Sequence, residues 1–177
     1  SKSNIQLRQG STVDGEVRQN WGKKAPLPKF DLEKFDPAKD EDIHYDKLRN
    51  PGSSLNLVGN VRRTGNLYLT GDMRLDNAFL FVEGGLTVQG DLRGQGAIVA
   101  LGKVVFEGTT DIAGNEQLAV LARGGITVSG RDASRSVFKG LLYSEGPFKA
   151  EKITIVGGFV VEKGSPTLVV DSPVFFS

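Results

Sequence analysis

The only histidine in the chain, His44, stands in an acidic run with Asp40, Glu41, Asp42 and Asp46. On a helix, Asp40 and His44 share one face four residues apart, the spacing of half a metal site or of a base with its orienting acid. A lone imidazole in such a run reads better as part of a solvated helix face. A Ser-His-Asp relay would also need a serine on a sharp strand-to-helix turn, and no serine here has that context. Cysteine is absent, which removes disulfides and thiolate metal ligands.

Carboxylates are the next candidates. Polysaccharide lyases and hydrolases need them clustered on one outer face, often with Ca²⁺ or a basic partner. Asp72 and Asp91 open equivalent segments, "GDMRL" and "GDLRG". Stacked in register they would lie about 5 Å apart. Corner aspartates bonded to backbone are the better reading of that pair. Glu107 with Glu145 or Glu151 is no better founded. Arg62, Arg63, Arg74 and Arg93 make a local basic patch that Asp72, Asp76 and Asp91 offset. The glycine pairs of "GNLYLTGD" and "GQGAIVALG" open no helix, so they do not form a dinucleotide fingerprint. No catalytic residue, metal ligand or cofactor site is drawn from any of these groups.

The elements that would hold such residues come from a repeat. "GGITVSG" at 124–130 restates "GGLTVQG" at 84–90. Gly65, Gly84, Gly102, Gly124, Gly146 and Gly164 mark a point that returns every 18 to 22 residues. Glycine makes up 23 of 177 residues and punctuates short apolar runs, a composition of strands with tight corners. A period near 20 is that of a solenoid. The fold class is therefore all-β: a single-stranded parallel β-helix of about five three-strand coils of 18–22 residues.

After each marker comes a first strand. Leu67/Leu69, Leu86/Val88, Val104/Phe106, Ile126/Val128 and Phe148/Ala150 point inward; Tyr68, Thr87, Val105, Thr127 and Lys149 point out. A second strand offers Met73/Leu75, Leu92, Ile112 and Ile153/Ile155 to the interior. The third leads into the marker. Four residues before each marker stand Leu80, Ile98, Val120, Leu142 and Val160, an aliphatic core column.

The third strand is apolar on its other face as well. Phe81, Val99, Leu121, Tyr143 and Val161 lie three before the markers; Phe79, Ala97, Ala119, Leu141 and Phe159 lie five before. A face of that extent needs a cover. The candidate interaction residues are thus Phe79, Phe81, Val99, Leu121, Leu141, Tyr143, Phe159 and Val161. The favoured cover is the chain's own non-repeat segment, and a protein partner is the alternative.

The chain divides into a partial first rung (1–17), a Pro-rich excursion (18–53) and the main solenoid (54–177). In the excursion, Asp36-Pro37 opens and Asn50-Pro51-Gly52 closes one expected helix, 37–49. Trp21, Phe30, Phe35, Tyr45 and Leu48 supply apolar surface to lie on the two-faced sheet. "RDASRS", 131–136, is a polar insertion that lengthens one turn.

Laid out as rungs, "GSTVDGEV", "GNLYLTGDMRL", "GGLTVQGDLRGQGAIVALGKVVFEG" and "FKGLLYSEGPFKAEKITIVGGFVV" resemble the β-solenoid domains of bacterial type IV pilus assembly (prepilin-like) proteins. "LPKFD" is similar to the Pro-rich spacer of those domains. The likeness spans about residues 4–162; a more distant one is to the bactofilins, which are polymer-forming scaffolds. There is no hydrophobic pilin helix in this chain, and it begins at Ser1 without Met, so the resemblance implies a soluble head cut from its anchor. It implies an extracellular or cell-surface location, with a cytoplasmic scaffold as the alternative. The expected function is a non-catalytic structural or binding domain, such as an adhesive head, of a bacterial cell-surface or pilus-like protein. A bactofilin-like scaffold and a polysaccharide-binding or polysaccharide-degrading β-helix are the alternatives. Expected partners are a pilus or surface protein, a second copy, or a glycan. The balance of 22 Lys+Arg against 21 Asp+Glu speaks against nucleic acid. No apolar run approaches the roughly 20 residues of a membrane helix, so no membrane insertion is expected from this segment.

Overall fold

The computed structural model describes residues 29–37, 54–112, 114–131, 136–163 and 167–169. Among the described residues a 3-10 turn, Leu32–Phe35, precedes thirteen strands. These are β1 (Leu55–Arg63), β2 (Leu67–Leu69), β3 (Met73–Val82), β4 (Leu86–Val88), β5 (Leu92–Ala100), β6 (Val104–Phe106) and β7 (Thr110–Asp111). There follow β8 (Leu118–Ala122), β9 (Ile126–Ser129), β10 (Val137–Ser144), β11 (Phe148–Glu151), β12 (Thr154–Val161) and β13 (Thr167–Val169).

Among the described residues every pairing is parallel, and two sheets result. The long strands stack in the order β1-β3-β5-β7-β10-β12, with β8 also joining β5 to β10. The short strands stack as β13-β11-β9-β6-β4-β2. The protein is a parallel β-solenoid of about five turns, in which each coil returns to its start one strand spacing, about 4.8 Å, along the axis.

The expected second and third strands run on as one bent strand. In β5 and β10 the bend falls at Gly96 (φ 147°) and Gly140 (φ 139°). A Cβ at either would strike the carbonyl oxygen of the coil before, Ala78 or Leu118, so only glycine lets the ladder continue through the corner. Where residues 112–117 stand in place of the two residues of the neighbouring coils the strand does break, into β7 and β8.

The short strands bury the pairs their alternation assigns: Leu67/Leu69, Leu86/Val88, Val104/Phe106, Ile126/Val128 and Phe148/Ala150 are at most 3% exposed. They pack against Met73, Leu75, Leu92, Ile112, Ile153 and Ile155, and against Leu80, Ile98, Val120 and Leu142.

The last coil departs from the sequence expectation. Register pairs Tyr143 with Val160, Leu142 with Phe159 and Ser144 with Val161. Phe159 and Val161 therefore belong to the inward side, where Phe159 stacks on Phe148 at 4.9 Å, and Val160 is the outward residue. Counting from Gly164 was one residue out, because this coil is 17 residues long. In a strand a slip of one exchanges the faces.

The helix expected over 37–49 lies, apart from Pro37, outside the described residues, and so does the partial rung 1–17. Among the described residues no helix is long and apolar enough to cross a membrane.

Candidate functional site

The outward face of the long-strand sheet carries a column of one residue per coil: Arg62, Phe81, Val99, Leu121, Tyr143 and Val160. Its members come from β1, β3, β5, β8, β10 and β12, and parallel register brings them into line. Residues 29–37 lie along this column as a strap. Leu32 is fully buried in a second apolar cluster with Phe81, Val99, Leu121 and Tyr143, while Phe30, Phe79, Leu101, Ala119 and Val160 pack at its border.

The strap is docked by side chains. Two backbone-to-backbone hydrogen bonds hold its own turn, Lys34 N–H to Asp31 O at 3.1 Å and Asp36 N–H to Glu33 O at 3.2 Å. At one end the Phe30 ring meets Tyr143 edge-on, 4.8 Å between centroids and 87° between planes, and the Phe30 N–H points at the Tyr143 hydroxyl, 3.5 Å away. At the other end Arg62 grips Asp36 with two prongs, Nε to Oδ1 at 2.7 Å and Nη2 to Oδ2 at 3.2 Å. Arg62 also pairs with Glu83, donates to Thr64 Oγ1 at 2.9 Å and lies 5.9 Å from the Phe81 ring centroid. Its side chain is only 9% exposed, and a guanidinium so placed needs two-pronged carboxylate pairing to offset its lost hydration. Midway, Arg123 donates to Glu33 Oε1 at 3.0 Å.

Burial pushes the Tyr143 phenol above its ordinary pKa; the Phe30 N–H opposes this in part, and Glu162 and Glu145 add to the rise. On the other sheet, Lys149 and then Ser129, both bonded to Glu151, hold that carboxyl below its usual range.

Of the eight residues singled out from sequence, Phe81, Val99, Leu121 and Tyr143 meet beneath the strap. Phe79 is half-buried beside it. Leu141 stands one column further out, in an open groove of about 620 Å³ that Asn77, Gln95, Gln117 and Lys139 also line. Phe159 and Val161 face inward, as described above. Leu32, Asp36, Arg62 and Glu83 were not foreseen as a set. One local signal lay in "KFDLEKFDP", which repeats Lys-Phe-Asp five residues apart around a leucine.

The candidate carboxylates have structural partners. Asp72 Oδ1 accepts from the Asp91 N–H at 2.8 Å, and Asp91 Oδ1 accepts from the Thr109 N–H at 3.1 Å, so each aspartate ties its corner to the next coil. Asn66 does the same for Gly85 at 2.7 Å. Glu107 accepts from Gln89 at 3.0 Å, and Glu151 from Ser129 at 2.9 Å. His44 lies outside the described residues. Among the described residues no group of three or more His, Asp or Glu is placed to hold a metal ion.

Fold and face together define a parallel β-solenoid with a strap docked along one side. No family model, curated protein or solved structure matches the chain.

Proposed function

We propose that this chain is a non-catalytic structural and binding domain of a bacterial cell-surface or pilus-like protein, an adhesive head in the sense the rung pattern suggests. The observation that carries the reading is how the polar side chains of the coils are used. Asp72, Asp91 and Asn66 join one coil to the next, and Arg62, Glu83 and Arg123 fasten the strap. Such a molecule is a rigid rod with sides of different chemistry. The groove lined by Asn77, Gln95, Gln117 and Lys139 supplies amides and one cation where a glycan partner would be held. Immunogold labelling of intact cells with an antibody to this domain tests the reading. Label on the surface or on appendages is expected; label seen only after permeabilisation would overturn it.

A polymer-forming scaffold is the second reading, supported by the sheet ends. β1 and β12 are the outermost long strands among the described residues, and each presents a ladder edge. Light scattering over a concentration series, with electron microscopy of the densest sample, separates the two. A species of 19.0 kDa at every concentration favours the head domain, and open-ended growth favours the scaffold.

A further inference from the structure

The strap sits on the solenoid as a ligand sits on a receptor. It adds no strand to either sheet, and its grip is made of side chains: one buried leucine, one aromatic edge contact and two arginine–carboxylate pairs. Across the contact, strap carboxylates meet solenoid arginines that Glu83 and Glu145 of the solenoid also neighbour. The strap brings Asp36 and Glu33, and the solenoid brings Arg62 and Arg123. The apolar column beside these arginines is ready-made: Phe81 and Tyr143 are held by strand register on both sides, and Arg62 is further oriented by Glu83 and Thr64, neither of which belongs to the strap. Removing the strap would leave a groove with an apolar floor and two oriented guanidinium groups, a surface complementary to a short acidic segment.

We propose that the column Arg62–Phe81–Val99–Leu121–Tyr143 is a docking groove for an acidic, leucine-bearing peptide turn of a partner protein, and that residues 29–37 are an internal mimic of that peptide which keeps the groove closed. The recognition elements follow from the strap. A leucine fills the pocket, a carboxylate four positions later meets Arg62, another next to the leucine meets Arg123, and an aromatic ring two positions earlier meets Tyr143. An occupant on the same chain competes through its effective concentration, so a partner must exceed the strap in affinity or arrive with further contacts. The inference rests on the reading of this domain as a binding scaffold. Peptide binding is nevertheless scored without reference to where the protein resides, so failure of the surface location leaves it standing.

The test uses a fluorescein-labelled synthetic peptide of residues 28–37, "PKFDLEKFDP", and fluorescence anisotropy. The full chain carrying Leu32→Glu and Asp36→Ala has a weakened strap and an intact groove. It should bind the peptide at least about tenfold more tightly than the parent chain, in which the groove is filled. Adding Arg62→Met to that variant should return binding to the parent level, and a peptide with its leucine replaced by glutamate should not bind. Circular dichroism establishes that each variant is folded. If the double variant is not, Leu32→Ala alone decides the matter, with binding expected to be tighter than the parent's and to return to the parent level when Arg62→Met is added. Equal binding to parent and folded variant, or binding indifferent to Arg62, would overturn the proposal. Concentration-dependent dimers of the parent chain that vanish with Arg62→Met would overturn it too, because they would assign the groove to the strap of a second copy.

Discussion

The two outward faces of the solenoid share one backbone plan and differ in everything they do with it. On the short-strand sheet the column reads Tyr68, Thr87, Val105, Thr127 and Lys149, half-buried to exposed and solvated. On the long-strand sheet the equivalent column reads Arg62, Phe81, Val99, Leu121 and Tyr143, and each is at most 8% exposed because the strap lies on it. Parallel register forces any side chain to recur as a row about 4.8 Å apart, so a face inherits the character of its column. A β-branched and polar row is content with water. An apolar row of the same length demands a cover, and the cover brings with it a line of recognition contacts that the first face lacks.

The sharpest way to break the comparison is to damage what both faces share. Val128→Asp would put an unpaired carboxylate into the core between the sheets, a loss of more than about 4 kcal/mol in urea unfolding. Parent-like melting would contradict the inward assignment of β9. Next in size, Leu32→Ala should cost about 2–4 kcal/mol by thermal or urea unfolding, the range for emptying a buried leucine site. An effect near zero would mean that the apolar column tolerates water. Asp91→Ala, which frees the Thr109 N–H at a corner, should cost about 1 kcal/mol in the same assay.

Alkaline titration sharpens the difference further. Tyr143 has a raised pKa in the folded state, so its contribution to stability is fully present below the ordinary tyrosine value of about 10. It is lost as pH rises through the folded value. Parent and Tyr143→Phe chains should therefore differ by a constant amount at neutral pH, where the Phe30 N–H has lost its acceptor, and the difference should change only above about pH 10; a difference that changes with pH below that would place the effect elsewhere. The smallest change is expected on the solvated face, where Thr127→Ala should stay within about 0.5 kcal/mol of the parent. A loss there equal to that of Leu32→Ala would erase the distinction between the faces.

Much of this was legible in one dimension. Period-2 alternation sufficed for Leu86/Val88 or Ile126/Val128, because each inward pair is a local pattern copied from coil to coil. The bare apolar column Phe81–Val99–Leu121–Tyr143 could likewise be read, and with it the need for a cover. Phe159, Val160 and Val161 were misassigned because one coil is a residue shorter than its glycines suggest, and no local feature marks the loss. The strap's anchors were harder still. Arg62 and Asp36 are 26 residues apart, and Arg123 and Glu33 are 90 apart. Nothing in a charge count separates an arginine that will be buried under a strap from its neighbour Arg63. The corner aspartates fell between these cases: the type of partner followed from Asp72 and Asp91 as turn residues, but the atoms they accept from belong to the following coil.

The strap also changes how the molecule should come apart. A solenoid whose coils touch only their neighbours unfolds as a linear chain of units, and its ends fray independently. Here Asp36 is fixed to the first coil through Arg62, and Phe30 is fixed to a coil near the other end through Tyr143. The strap thus works as a longitudinal tie rod between the coil of Arg62 and the coil of Tyr143: neither can separate from the coils between them without loosening a contact that also serves the other. The expected result is one cooperative transition in the parent chain and, once Leu32 is truncated, a broader melt in which the ends open before the middle.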